Sequence, residues 1–118
     1  MKQLLIVDDQ HGIRLLLGEV FKREGYQTFL ASNGLEALSI AEKKKIDCVL
    51  LDMKIPGMDG LEILKNMKAK WPDVPVMMMT AYGELDLIQE ALSLGAAKYF
   101  TKPFNIYEIR DAVNEAIR

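Results

Sequence analysis

Short runs rich in apolar residues alternate with amphipathic stretches along the whole chain. The runs cover residues 4–7, 26–31, 46–51, 74–80 and 98–100, the length of strands that are buried within a sheet. Between them, apolar side chains recur at helical spacing over residues 12–24, 35–45, 61–70, 84–94 and 106–117. Five strands that alternate with five helices predict an α/β fold, a doubly wound parallel sheet with helices on both faces.

The composition is that of an ordinary single domain spanning residues 1–118. Half of the residues are hydrophobic, 27% are charged and the net charge is −2, which favours neither a nucleic-acid partner nor a membrane surface. The apolar run at residues 4–7 is too short for a signal peptide, and Cys48, the only cysteine, lies inside a predicted strand. We therefore expect a cytoplasmic protein with a buried, unreactive thiol.

A run of three lysines, residues 43–45, closes the second predicted helix. Cations are favourable at a helix carboxyl end. We interpret the run as a solvated helix end in preference to a patch for an anionic partner.

Polar side chains follow four of the five predicted strands. Asp8 and Asp9 come after the first strand, Asp52 after the third, Thr80 after the fourth and Lys102 after the fifth. The carboxyl ends of parallel strands meet at one edge of a sheet, where α/β folds place their sites. Asp52 alone could be a simple strand-end cap, but the whole set predicts a functional site.

The chemistry of this set points to phosphoryl transfer. Three adjacent carboxylates repel one another unless a cation joins them, and oxygen ligands favour Mg²⁺, with Mn²⁺ also suitable. One carboxylate could then attack phosphorus, while Thr80 and Lys102 bind the transferred oxygens. The chain has neither a Walker loop nor a Gly-x-Gly-x-x-Gly motif, so another molecule must bring the phosphoryl donor.

Four motifs together resemble the receiver domain of bacterial two-component response regulators. They are Asp8-Asp9, the turn at residues 52–60, Thr80-Ala81 and Lys102-Pro103, and the resemblance covers the whole chain. Residues 6–10, 51–60 and 79–86 are further similar to single-domain phosphorelay regulators of sporulating bacilli. The resemblance implies a flavodoxin-like receiver fold with strand order 2-1-3-4-5.

The resemblance also implies roles for the acidic residues. Asp52 would accept a phosphoryl group from a phosphohistidine. Asp9, Asp52 and the backbone carbonyl of Lys54 would bind Mg²⁺, and Asp8 would act through a water molecule.

Further roles fall on the last two strands. Thr80 and Lys102 would contact the phosphoryl oxygens. Thr80 and Tyr99 stand where receivers carry a switch pair that responds to phosphorylation. The peptide bond between Lys102 and Pro103 would be cis.

Three functions are compatible with such a site. The first is a phosphorelay intermediate in sporulation control, which catalyses its own phosphorylation and needs no separate small-molecule substrate. Its partners would be a sensor histidine kinase, a histidine phosphotransferase and, as a further candidate, an aspartyl-phosphate phosphatase. The second is a stand-alone effector of the chemotaxis type. The third, a phosphoester hydrolase, is disfavoured because Lys54 stands where such enzymes carry a general acid. The motif similarity favours the relay.

The first helix carries more apolar residues than one buried stripe can hold. Ile13, Leu17 and Val20 share one side, Leu16 and Phe21 flank them, and Leu15 points almost opposite. At least one leucine of the first turns should therefore face water. By resemblance, we expect a helical partner to dock on Gln10, Gly12, Ile13, Leu16 and Gly83.

Residues beside the acceptor bear on the lifetime of an aspartyl phosphate. Fast receivers position a hydrolytic water with acidic or amide side chains. The corresponding positions here are Lys54 and Tyr82. We therefore expect a phosphoryl lifetime of minutes or longer.

Overall fold

A five-stranded parallel sheet with the order β2-β1-β3-β4-β5 forms the centre of the computed structural model, which describes residues 1–81 and 83–117. The strands are β1 (Gln3–Val7), β2 (Gln27–Ala31), β3 (Cys48–Asp52), β4 (Val76–Ala81) and β5 (Lys98–Lys102). The helices are α1 (His11–Arg23), α2 (Gly34–Lys43), α3 (Gly60–Lys70), α4 (Leu85–Ser93) and α5 (Ile106–Ile117). The predicted doubly wound fold and strand order are confirmed.

Three strands end later than their apolar patterns predict, β4 by the single residue Ala81. Asp52 is the last residue of β3, paired with Met79, and β5 continues to Lys102, paired with Ala81 of β4. Hydrogen-bonded pairing with β4 thus extends β3 and β5 beyond their apolar runs. At its beginning, β4 starts at Val76 and not at residue 74, since Pro75 has no amide to donate. Backbone pairing therefore holds Asp52 and Lys102 within the sheet, where loop residues had been expected.

Alternating side chains of the central strands divide the core between the two faces of the sheet. Leu5, Val7, Val49, Leu51 and Met78 pack in one cluster with residues of α2, α3 and α4. Leu4, Ile6, Leu50, Met77 and Met79 pack in the other with residues of α1 and α5. Burial raises the pKa of the Cys48 thiol to about 12, as expected for an unreactive core cysteine. No helix of the described residues is long and apolar enough to cross a bilayer.

The turn after β3 brings the start of α3 directly against the end of the strand. Asp59 caps α3, since its side chain accepts a hydrogen bond of 2.9 Å from the amide of Glu62. The amide of Gly60 donates to the carbonyl of Met53 at 3.0 Å. A Cβ atom on Gly60 would lie 2.5 Å from the Met53 Cα and 2.8 Å from the Asp52 carbonyl oxygen. Only glycine fits this position, because the neighbouring atoms are backbone.

We predict that Gly60→Ala lowers the free energy of unfolding by about 2 kcal/mol or more, because the strand must shift to admit the methyl group. Gly12→Ala is the matched control: it lies in α1 and its added Cβ would meet no atom within 4 Å. That control should be neutral or stabilising by up to about 1 kcal/mol. Urea unfolding followed by circular dichroism measures both, and equal midpoints would refute the close approach at Gly60.

Candidate functional site

Three carboxylates converge at the carboxyl edge of the sheet. Asp8 and Asp9 follow β1, and Asp52 ends β3; one oxygen from each lies within 4.8 Å of the others. Asp8 is fully buried and Asp52 is 5% exposed, whereas Asp9 faces solvent. The cluster is therefore a shallow acidic site with two buried walls and one open side.

Lys102 joins the two buried carboxylates across the sheet. Its Nζ lies 2.9 Å from Asp8 Oδ2 and 3.4 Å from Asp52 Oδ2. Partial burial acts to lower the pKa of Lys102, but the hydrogen bond to Asp8 and the charges of both carboxylates outweigh it and raise the pKa. Lys102 thus stays charged and forms the fixed cation of the site.

Asp52 carries the excess negative charge. Its burial, and then the nearby charge of Asp8, raise the pKa of Asp52 above the ordinary carboxyl value. The Lys102 charge and a 3.2 Å hydrogen bond from the amide of Lys54 oppose the shift without cancelling it. Three carboxylates against one ammonium leave a net charge of about −2, and all the free donors are oxygens. This donor set fits a divalent metal ion.

Thr80 lies beside the cluster on the next strand. It is buried and follows Met79, the residue that pairs with Asp52 in the sheet. Its hydroxyl donates a long, weak hydrogen bond of 3.4 Å to the carbonyl oxygen of Ala81. Thr80 therefore has a hydroxyl near the acidic site that is free to change partner.

Tyr99 stands apart from the acidic residues. It lies on β5, opposite Met78 in the sheet, and its side chain is 41% exposed. The peptide bond between Lys102 and Pro103, at the end of the same strand, is cis.

Lys54 sits in the turn beyond Asp52 and points outward. Its side chain is exposed and forms an ion pair with Glu84, the residue that precedes α4. The other residue considered for phosphoryl lifetime, Tyr82, lies outside the described residues.

The first helix presents the exposed leucines that the sequence predicts. Leu15 is 50% exposed and Leu16 is 42% exposed, while Leu17 and Phe21 are buried. The sequence placed both Leu16 and Phe21 at the edges of the buried stripe. In the structure Leu16 is more exposed than such a position implies, and Phe21 is more buried. Ile13 is half-buried and packs against the core cluster of α1 and α5.

The remaining predicted partner residues lie before or at the start of a helix, Gln10 and Gly12 at α1 and Gly83 ahead of α4. Gln10, Gly12 and Gly83 are all exposed, and an added Cβ on Gly12 would enter open space. Gln10 and Gly12 stand between the cluster and the exposed leucines of α1. A partner that contacts Gln10 and Gly12 could therefore also reach the acidic site.

Arg14 is a site residue that the sequence reasoning missed. Its Nη1 donates a 2.7 Å hydrogen bond to the backbone carbonyl of Asp8, and the amide of Gln10 donates to Asp8 Oδ1 at 2.9 Å. These contacts fix the loop that carries Asp8 and Asp9. A cation one turn into the helix that follows an acidic pair was the signal available in the sequence.

Comparison with known proteins gives a consistent result. The model of the response regulator receiver domain family matches residues 4–114. Sporulation initiation phosphotransferase F of Bacillus subtilis (strain 168) is 64% identical over 97% of this chain and 92% of that protein. Regulatory protein AtoC of Escherichia coli (strain K12) is 38% identical over 100% of this chain, which spans 26% of AtoC. A CheY-like receiver domain protein of Methanospirillum hungatei JF-1 has a TM-score of 0.95 at 30% identity, covering 99% of this chain and 94% of that one.

We predict that Asp52→Asn stabilises the protein in chelator-treated buffer, by on the order of 1 kcal/mol, because it removes one of two facing buried charges. Asp59→Asn is the matched control: it makes the same change in net charge, and asparagine caps a helix as well as aspartate does. Urea unfolding in the presence of a chelator measures both variants. A stability gain no larger for Asp52→Asn than for Asp59→Asn would contradict the proposed repulsion.

The same repulsion predicts a pH dependence. A carboxyl group whose pKa is higher in the folded than in the unfolded state binds protons more tightly when folded, so its contribution to stability falls as pH rises. The loss begins near the unfolded pKa of about 4 and is complete above the folded pKa. The stability gain from Asp52→Asn should therefore be large at neutral pH and shrink on acidification through this interval.

Proposed function

Because the chain belongs to the response regulator receiver domain family, we propose that it is a phosphorelay intermediate. It accepts a phosphoryl group from a histidine kinase on Asp52 and passes the group to a histidine phosphotransferase. The observation that carries the proposal is the buried Asp52 carboxylate, which Lys102 joins to Asp8 at the sheet edge. The 64% identity to a sporulation initiation phosphotransferase supports a relay in the control of sporulation.

Asp8, Asp9 and Asp52 would hold a divalent ion, Mg²⁺ or Mn²⁺, because their oxygens converge with an uncompensated negative charge. The Lys54 carbonyl is a further ligand in this proposal, and Asp8 acts through a water molecule. When bound, the ion supplies positive charge to the phosphoryl oxygens.

The transfer step requires one nucleophile and a set of charge-stabilising groups. An Asp52 carboxylate oxygen attacks the phosphorus; the O–P bond forms as the P–N bond to the donor imidazole breaks, and the electron pair returns to the nitrogen. Lys102, already within 3.4 Å of Asp52, neutralises charge on the transferred oxygens. The Thr80 hydroxyl turns from the Ala81 carbonyl to donate to one of them, and Tyr99 follows this movement as the second switch residue.

The proposed partners are macromolecules that carry a reactive histidine or that remove the phosphoryl group. They are a sensor histidine kinase, a histidine phosphotransferase and an aspartyl-phosphate phosphatase. The proposal places the relay in the cytoplasm, in keeping with the unpaired, buried Cys48.

We predict that Asp52→Asn abolishes labelling by a phosphorylated histidine kinase, because an amide oxygen is too weak a nucleophile. Asp59→Asn, in the same turn but engaged only as a helix cap, should be labelled normally. Asp9→Asn should raise the Mg²⁺ concentration needed for half-maximal labelling, since it removes the open carboxylate of the cluster. Transfer of ³²P followed by gel autoradiography measures all three, and full labelling of Asp52→Asn would end the assignment.

Onward transfer separates a relay from an effector. The labelled protein, freed of kinase, is mixed with a purified histidine phosphotransferase. We expect the label to move to an acid-labile, base-stable phosphohistidine. Label that stays on the receiver with each candidate phosphotransferase, while a target binds the phosphorylated form, would replace the relay with an effector function.

We predict that the exposed start of α1 is the docking surface for these partners. Leu16→Ala and Gly12→Leu should slow phosphotransfer from the kinase by about tenfold, because one removes an exposed contact and the other obstructs the approach. Both should leave labelling by acetyl phosphate unchanged, since that small donor needs only the acidic site. Ile13→Ala should also slow transfer, but it will cost stability because Ile13 is half-buried.

The chain offers a matched control for this surface. Leu92 of α4 is 43% exposed, almost the same as Leu16 at 42%, and lies on another helix. Leu92→Ala should leave both labelling routes intact. If Leu16→Ala slows labelling by acetyl phosphate as much as labelling by the kinase, α1 acts on the site itself and is not a docking surface.

A further inference from the structure

A second pocket lies at the edge of the sheet opposite to the acidic site. It opens between the carboxyl ends of α2 and α3, beside the amino ends of β3 and β4, and has a volume of about 440 Å³. That volume is within the range of small-molecule sites. None of its lining residues belongs to the acidic cluster, so the pocket is separate from the site of phosphoryl transfer.

The floor of the pocket is apolar. Ile46, Val49 and Met67 are buried beneath it, and Trp71 and Val74 form half-buried walls. These side chains already contact the core cluster on one side of the sheet. A ligand in the pocket would therefore cover apolar surface that the fold leaves accessible.

The rim of the pocket is cationic. Lys43, Lys44 and Lys45 line one side and are all exposed. The rim carboxylate, Glu42, is paired with Lys70 of α3, and among the described residues none of the three lysines forms an ion pair. The Nζ of Lys44 lies 5.8 Å from the centre of the ring of Phe29, a β2 residue outside the pocket lining.

The helix end alone does not account for three lysines. A helix carboxyl terminus carries about half a unit of negative charge. In the last turn of α3, by comparison, the Nζ of Lys68 donates hydrogen bonds of 2.8 and 3.1 Å to the carbonyls of Pro72 and Val74. Lys43 and the two lysines that follow α2 therefore supply more positive charge than the helix end requires, next to an apolar cavity.

We propose that this pocket binds a small organic anion. The apolar body of the ligand lies on Val49, Met67 and Trp71, and its acidic group lies among the lysines. A flat membrane surface could attract the lysines but could not reach the buried floor. Charge and cavity shape together thus select a compact amphipathic anion and revise the interpretation of the lysine run as only a solvated helix end.

The test uses 8-anilinonaphthalene-1-sulfonate as the probe and uncharged N-phenyl-1-naphthylamine as its counterpart. Trp71 is the only tryptophan, so its fluorescence reports occupancy of the pocket. We expect saturable one-to-one quenching by the sulfonate, with shifts of backbone amide resonances confined to residues 41–49 and 67–74. The uncharged compound should bind about tenfold more weakly or worse.

Two triple variants separate local from overall charge. Lys43→Gln, Lys44→Gln and Lys45→Gln together should weaken binding of the sulfonate by about tenfold or more. Lys22→Gln, Lys65→Gln and Lys98→Gln remove three exposed lysines elsewhere and should leave binding within about twofold. Absence of saturable binding, equal loss in both triples, or resonance shifts at other residues would overturn the proposal.

Val74→Phe separates a pocket ligand from an anionic surface. The larger side chain should fill the cavity and abolish sulfonate binding, with resonance dispersion showing that the variant is folded. If phosphatidylglycerol vesicles bind both the unsubstituted protein and Val74→Phe equally well, the lysines serve a membrane surface and the proposal fails. If vesicles bind neither, the small-anion assignment stands.

Discussion

The repulsion between two buried carboxylates is the interaction on which the rest of this structure depends. Asp8 and Asp52 are almost without solvent contact, and burial disfavours the charge of each. Lys102 reduces the repulsion, with a shorter contact to Asp8 at 2.9 Å than to Asp52 at 3.4 Å. Asp8 is therefore the better compensated of the two. Asp52 is left with a raised pKa and with a carboxylate that gains most from a metal ion or a chemical change.

This arrangement is possible because core side chains on both faces of the sheet hold β3, β4 and β5 in place. Asp52 and Lys102 are the last residues of β3 and β5, and β4 separates their backbones. Core side chains above and below prevent the strands from moving apart to relieve the repulsion. Gly60 adds a constraint on the far side, since its missing side chain lets α3 rest against the backbone of residues 52 and 53. The unfavourable repulsion between Asp8 and Asp52 is thus offset by favourable packing energy from the whole domain.

Sequence reasoning could predict the elements and the strand order, since apolar periodicity is local and the motifs are specific. It could not predict where β3 and β5 end, because their last residues are held by pairing with distant strands. It placed Asp8 and Asp9 correctly in one cluster, but it did not show that Asp8 is buried and Asp9 exposed. The spacing of Arg14 from the acidic pair could have suggested a contact, but that its Nη1 donates to the Asp8 carbonyl depends on how α1 is placed against β1.

The net charge of −2 conceals a separation of charge along the strand direction. The carboxyl edge of the sheet gathers Asp8, Asp9 and Asp52, whereas the opposite edge carries lysines 43–45. The small net charge argued against anionic partners, but a net charge does not show where on the surface the individual charges lie. Within a Debye length of about 8 Å, a ligand meets only the charges of the edge that it approaches. The two edges can therefore select opposite kinds of ligand, a cation with its phosphoryl group at one and an organic anion at the other.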